Sequence, residues 1–238
     1  MKRPLPVGTL YNILFVVKVN LEQVQARIAA AARTVGREPA SVRLVCVTKG
    51  LPVDRIKEAV ACGVREIGEN RVQEAREKQP LLESDLRWHL VGHLQRNKIK
   101  QALELFDVIH SVDSMELIEA LIQHAVSHPA ASGRPPELLV QVNVSGEATK
   151  HGCRPEEAQV LAQAIRQSRV LTLAGFMTMA PFSDHPESAR PFFRRLREIR
   201  DGADPALHLS MGMSQDFEVA VQEGATMVRI GTLIFGEK

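Results

Sequence analysis

The sequence predicts an α/β fold, a closed TIM (β/α)8 barrel with a leading N-terminal helix. Three observations carry that expectation. About eight short apolar runs rich in β-branched residues recur along the chain, as parallel strands buried on both faces require. Amphipathic helical patterns separate them in strict alternation, which implies parallel pairing. A length of 238 residues suits eight such units closed on themselves. An open doubly wound sheet is the competing arrangement, but no G-x-G-x-x-G fingerprint follows the first strand.

In chain order, residues 1–20 read as a tail or packing segment. The apolar stretch at 10–19 is interrupted by Asn12 and Lys18, and no small-residue cleavage site follows, so it does not resemble a targeting signal. A leading helix is expected over 21–36, where Leu21, Val24, Ile28, Ala31, Ala32 and Val35 recur at three- and four-residue steps. The first strand is expected at 42–47, and Pro52-Val53-Asp54 then opens a helix through Cys62. Further strands are expected at 66–68, 87–91, 108–112, 138–144, 171–177, 206–210 and 227–230. Helical patterns lie at 95–106, 115–128, 156–168, 187–201 and 215–223. The segment 129–136, with Ser132 and Gly133 between prolines, reads as a surface loop within one domain spanning 1–238.

Composition narrows the function classes. With 45% hydrophobic and 24% charged residues the chain is ordinary globular material, not fibrous or low-complexity. A net charge of +2 is too slight for a whole-surface nucleic-acid or membrane partner, so any anion site must be local. No run approaches the ~20 apolar residues of a membrane span. Cys46, Cys62 and Cys153 are odd in number and form no C-x-x-C pair that would signal zinc or redox chemistry. A reducing cytoplasm fits them best.

In a barrel of this type the C-terminal strand ends converge on one mouth. Here they are Lys49, Asn70, His89, Asp113, Asn143, Met177, Ser210 and Arg229. Lys49 directly follows an apolar strand, and an amine at the rim of a low-dielectric core suits Schiff-base formation with an aldehyde. The last strand ends in Arg229-Ile230-Gly231-Thr232, which offers a fixed cation, a close backbone approach and a hydroxyl. The seventh ends in Ser210-Met211-Gly212-Met213-Ser214, and barrels commonly seat phosphate in these two loops. Taken singly, each has a plain structural explanation: a solvated lysine, a glycine turn, Ser214 capping a helix. Together they would hold an aldehyde-bearing phosphate ester at both ends. Pyridoxal 5′-phosphate (PLP) is such a molecule.

From about Val42 to Gly236 the chain resembles the pyridoxal phosphate homeostasis proteins, relatives of the alanine racemase N-terminal barrel. The resemblance rests on seven ordered motifs. They are LVCVTK at 44–49, IGENRVQE at 67–74, WHLVGHLQ at 88–95, HSVD at 110–113, QVNV at 141–144, LSMGMS at 209–214 and VRIGTLIFG at 228–236. It implies that Lys49 forms an internal aldimine with PLP, that Ser210, Gly231 and Thr232 bind the phosphate, and that Arg229 faces the pyridine nitrogen. It implies further that Asn70 and His89 line the pocket and that Met211 sits against the cofactor. No catalytic residue and no metal ligand are expected. Arg71 stands where the family usually has an aromatic residue, and Gly50-Leu51-Pro52 replaces a more polar segment.

The expected role is buffering or delivery of PLP by a cytoplasmic monomer, with apo PLP-dependent enzymes as candidate recipients. A guanidinium opposite the ring nitrogen makes the ring a poorer electron sink. No second domain is expected after the barrel to supply an opposing tyrosine base. A PLP-dependent amino-acid racemase is the alternative reading, and a cofactor-free Schiff-base aldolase is a third.

Overall fold

The computed structural model describes residues 7–127 and 136–236, with side chains from residue 16 onward. Eight parallel strands close in chain order: β1 (Arg43–Val47), β2 (Glu66–Glu69), β3 (Arg87–Leu90), β4 (Val108–Val112), β5 (Glu137–Gln141), β6 (Thr172–Met177), β7 (His208–Ser210) and β8 (Met227–Ile230). The helices are α1 (Val7–Thr34), α2 (Val53–Ala61), α3 (Val72–Lys78), α4 (Ile99–Leu105), α5 (Met115–Ser127), α6 (Ala158–Ser168), α7 (Arg190–Ala203), α8 (Phe217–Gln222) and α9 (Thr232–Phe235). The closed sheet excludes the open alternative. Apart from Pro136, the loop expected at 129–136 lies outside the described residues.

Closure comes from β8 pairing with β1, where Val45 lies opposite Arg229 and Cys46 opposite Ile230. That register sets the ends of the two strands side by side at the mouth. β-Branched and aliphatic residues form the strands because both faces are covered, and Cys46, Ile67, Leu90, Ile109 and Val228 have no exposed surface. A separate small cluster of Val45, Val91 and Met227, with Val47 packed against it, lies beneath the mouth.

The leading helix begins at Val7, well ahead of the expected start at Leu21. The reason is local: from Thr9 to Thr34 no proline or glycine interrupts it. The buried stripe Leu21, Val24 and Ile28 extends back to Val17, so from Val17 the expected tail segment is packing surface. This helix docks on α2, α8 and α9. Asn20 donates to the Ile234 carbonyl at 3.0 Å, and Arg27 forks onto Glu218 with two 2.9 Å bonds.

The helix α3 carries no strong sequence signal. It has seven residues, of which only Val72 and Ala75 are buried apolar positions, so it depends on docking. None of the described helices is long and apolar enough to cross a membrane.

Candidate functional site

The strand ends open onto a cavity of about 700 Å³ lined by Val47, Lys49, Asn70, Val91, Ser214, Arg229, Gly231 and Thr232, among others. Lys49, Asn70, Arg229, Gly231 and Thr232 were all expected here. Lys49 stands two residues beyond β1, after the buried Thr48, and is exposed on the cavity wall, not sunk at the edge of the apolar core as its position suggested. Gly231 has a packing requirement, because a Cβ there would fall 2.8 Å from the Val47 carbonyl oxygen. The backbone of the β8 end thereby comes within contact distance of the strand that carries Lys49.

The backbone around Lys49 is held from below. Thr48 N–H donates to Gly68 O at 2.9 Å, and Thr48 Oγ1 donates to Glu69 Oε1 at 2.6 Å. The buried Lys78 of α3 donates to Thr48 O at 2.9 Å and to Glu69 at 2.7 Å. On the other side Gly50 N–H donates to Glu74 Oε2 at 2.6 Å. Burial raises the Glu69 carboxyl against the pull of its donors. Burial also opposes ionisation of Glu74, but the Gly50 amide and Lys78 outweigh it and hold that carboxyl below its ordinary value. The residues flanking Lys49 are thus fixed by α3 and β2. Sequence reading missed this support, although Glu74 and Lys78 stand four residues apart on one helical face, the spacing of a paired acid and base.

Three expected residues lie below the cavity and not on its wall. His89, Ser210 and Met211 are each fully buried. Met211 belongs to the main hydrophobic core. His89 and Ser210 belong to a polar chain that crosses the barrel interior. Arg229 donates through Nη2 to Thr178 O at 2.9 Å and through Nη1 to Ser210 Oγ at 2.6 Å. Ser210 Oγ meets His110 Nδ1 at 2.8 Å, His110 Nε2 meets His89 Nδ1 at 2.8 Å, and His89 Nε2 bonds Glu66.

Physical chemistry sets the directions. Burial lowers both imidazoles, His110 well below its ordinary value, so each is neutral with a single N–H. Burial would raise Glu66, but the His89 hydrogen bond and the nearby Arg43 and Arg87 outweigh it and keep Glu66 ionised, so it must accept. His89 therefore donates to Glu66, His110 to His89, Ser210 to His110 and Arg229 to Ser210. Burial pulls the Arg229 guanidinium down to about 10, so it remains charged at neutral pH. The Ser210 hydroxyl, expected on a phosphate, is committed inside this chain.

The hydroxyl that the seventh loop does offer to the cavity is Ser214. It does not cap α8: Asp216 occupies that N-cap, and its Oδ1 accepts from Met213 N–H at 2.7 Å. Gly212 permits this turn at φ +95°, and a Cβ there would fall 2.6 Å from Ala220 Cβ. The other strand-end residues serve the walls. Asn143 organises the loop after β5 through Glu147 O at 2.9 Å and Gly146 N–H at 3.1 Å. Met177 is core. Asp113 lies beside His93 and His151 at the rim.

The alanine racemase N-terminal domain family matches residues 19–238, a stretch that contains the whole closed barrel with Lys49 after its first strand and Arg229 in its last. The chain is 42% identical over 224 residues to the pyridoxal phosphate homeostasis protein of Aquifex aeolicus, covering 92% of this chain and 96% of that one. The Pseudomonas aeruginosa protein of the same name is 43% identical over 222 residues, covering 92% and 94%. A solved structure of PipY from Synechococcus elongatus with PLP bound superposes with a TM-score of 0.78 at 36% identity, covering 92% of this chain and all of that one (100%). The chain belongs to the pyridoxal phosphate homeostasis protein family.

Proposed function

We propose that residues 1–238 act as a single PLP-binding unit that holds the cofactor reversibly for intracellular buffering and delivery, without substantial catalysis. The observation that carries this reading is the lining of one cavity by an amine, a guanidinium and two hydroxyls: Lys49, Arg229, Ser214 and Thr232. This donor set fits PLP, whose aldehyde condenses reversibly with a primary amine. Lys49 is the residue assigned to the aldehyde. Ser214, Thr232 and the Gly231 backbone are assigned to the phosphate, and Arg229 to the pyridine nitrogen. Asn70 flanks the ring on the β2 side. The guanidinium stays protonated, so it leaves the ring nitrogen without a proton of its own.

The same wall supports a carrier rather than a racemase. Among the described lining residues there is no carboxylate, histidine or tyrosine to serve as a base opposite Lys49. Inversion at a carbon centre needs a base on each face. A cytoplasmic site of action agrees with Cys46, Cys62 and Cys153 all being free thiols. Apo PLP-dependent enzymes are the proposed recipients, and a monomer the proposed state.

The test is spectroscopic and chemical. Protein incubated with PLP and freed of excess should carry a visible absorption band, and borohydride followed by peptide mapping should place a pyridoxyl group on Lys49. Lys49→Ala should be colourless. A pyridoxyl group on another lysine would move the site, and amino-acid racemisation abolished by Lys49→Ala would replace the carrier reading with the racemase one.

A further inference from the structure

A second constellation stands at the barrel mouth, made of residues that do not line the cofactor cavity. His93 follows β3, Asp113 follows β4 and His151 lies in the loop after β5. One ligand atom from each lies within 4.8 Å of the other two. The two imidazole rings stack at 4.3 Å between centroids, tilted by 13°, and His93 Nδ1 lies 3.9 Å from Asp113 Oδ2. The sequence offers no hint of this grouping: positions 93, 113 and 151 match no ligand spacing, and it takes successive parallel strands to bring them together.

The backbone beneath the cluster is fixed. The loop bearing His151 is closed by a parallel bridge between Val142 and Cys153, with Asn143 N–H on Cys153 O at 2.9 Å. The buried Gln141 side chain donates to the His151 carbonyl at 3.2 Å. Next to His93, Gly92 is pressed so closely on β2's end that a Cβ would fall 2.2 Å from Asn70 O. The side chains, by contrast, have room: His93 and His151 are exposed and Asp113 is half-buried.

We propose that His93, Asp113 and His151 bind a divalent transition-metal ion of the zinc class. Two imidazoles and one carboxylate form a three-ligand protein set, which leaves a fourth position for water or an added ligand. With bonds of about 2.0–2.1 Å, ligand atoms around a tetrahedral zinc lie about 3.3 Å apart. The widest gap here must therefore close by at most about 1.5 Å, within reach of rotations of the two exposed rings. The ion would tie together the loops after β3, β4 and β5. Through Gly92 it would also brace Asn70, which lines the cofactor cavity.

The experiment uses the full-length protein, without added PLP, titrated with zinc chloride in a calorimeter, and with cobalt chloride followed by visible absorption. Wild type should bind one ion per chain with a rise in melting temperature, and cobalt should give the d–d bands of a low-coordinate site. His93→Ala and His151→Ala, both at exposed positions, should melt like wild type in chelator and lose the stoichiometric ion and the metal-dependent rise. Lys49→Ala should keep both, which separates this site from the cofactor reading. No stoichiometric binding by wild type, or binding retained in both histidine variants, would overturn the proposal.

Discussion

Two hydroxyls four residues apart, Ser210 at the end of β7 and Ser214 in the loop after it, have opposite fates. Ser214 faces the cavity, whereas the fully buried Ser210 accepts from Arg229 and donates to His110. Removing each should therefore read out differently. Ser214→Ala and Thr232→Ala should each weaken PLP retention by about 1–3 kcal/mol, the cost of a lost hydrogen bond to a charged group, with little change in urea stability. Ser210→Ala should lower urea stability by about 1–3 kcal/mol, because it strands a guanidinium N–H and an imidazole nitrogen in the interior. Equal PLP release from Ser210→Ala at unchanged stability would contradict this assignment. The sequence made Lys49, Arg229, Gly231 and Thr232 legible because strand ends in a barrel must converge. It could not tell Ser210 from Ser214, since which hydroxyl turns outward depends on where β7 stops and how Gly212 bends the chain.

Among the elements, α3 shows how a weak helix acquires a strong role. Seven residues cannot hold a helix by propensity alone, yet its Lys78 reaches Glu69 and the carbonyl next to Lys49. Lys78→Met should cost about 3–5 kcal/mol in urea denaturation, because Glu69 is left as a buried charge without its cation. The double variant Glu69→Gln with Lys78→Met should recover most of that loss. A single-variant cost below about 1 kcal/mol would mean the pair is not the anchor it looks to be. Strands and the longer helices were readable from the sequence because their apolar spacing has a fixed period. The helix α3 was not, with only Val72 and Ala75 to mark its face, and α1 was read short because its stripe before Leu21 has a single described member, Val17.

Across the whole molecule, the polar chain from Glu66 to Arg229 makes stability depend on pH. His89 and His110, and also His208, are held below their ordinary values chiefly by burial, so the unfolded chain binds more protons than the folded one as pH falls through their unfolded range. Stability should therefore be full above about pH 7 and decline as pH drops below about 6.5. Glu66, also held low, adds a further loss in the carboxylate range, while Glu69, held high, works against it there. Urea midpoints should stay level from pH 8 to about pH 7 and fall from there down to about pH 5. A flat profile would show that the two core imidazoles do not stay neutral.

The donors in that chain run one way, from the guanidinium at the mouth to the carboxylate at the opposite end. No member can reverse alone, since a flipped tautomer would set two N–H groups face to face or leave two bare nitrogens adjacent. Arg229 accordingly keeps one orientation whatever occupies the space above it. A protein that takes up and surrenders the same small molecule over many cycles then meets each arrival with an unchanged wall, and spends nothing on rearranging its interior between loads.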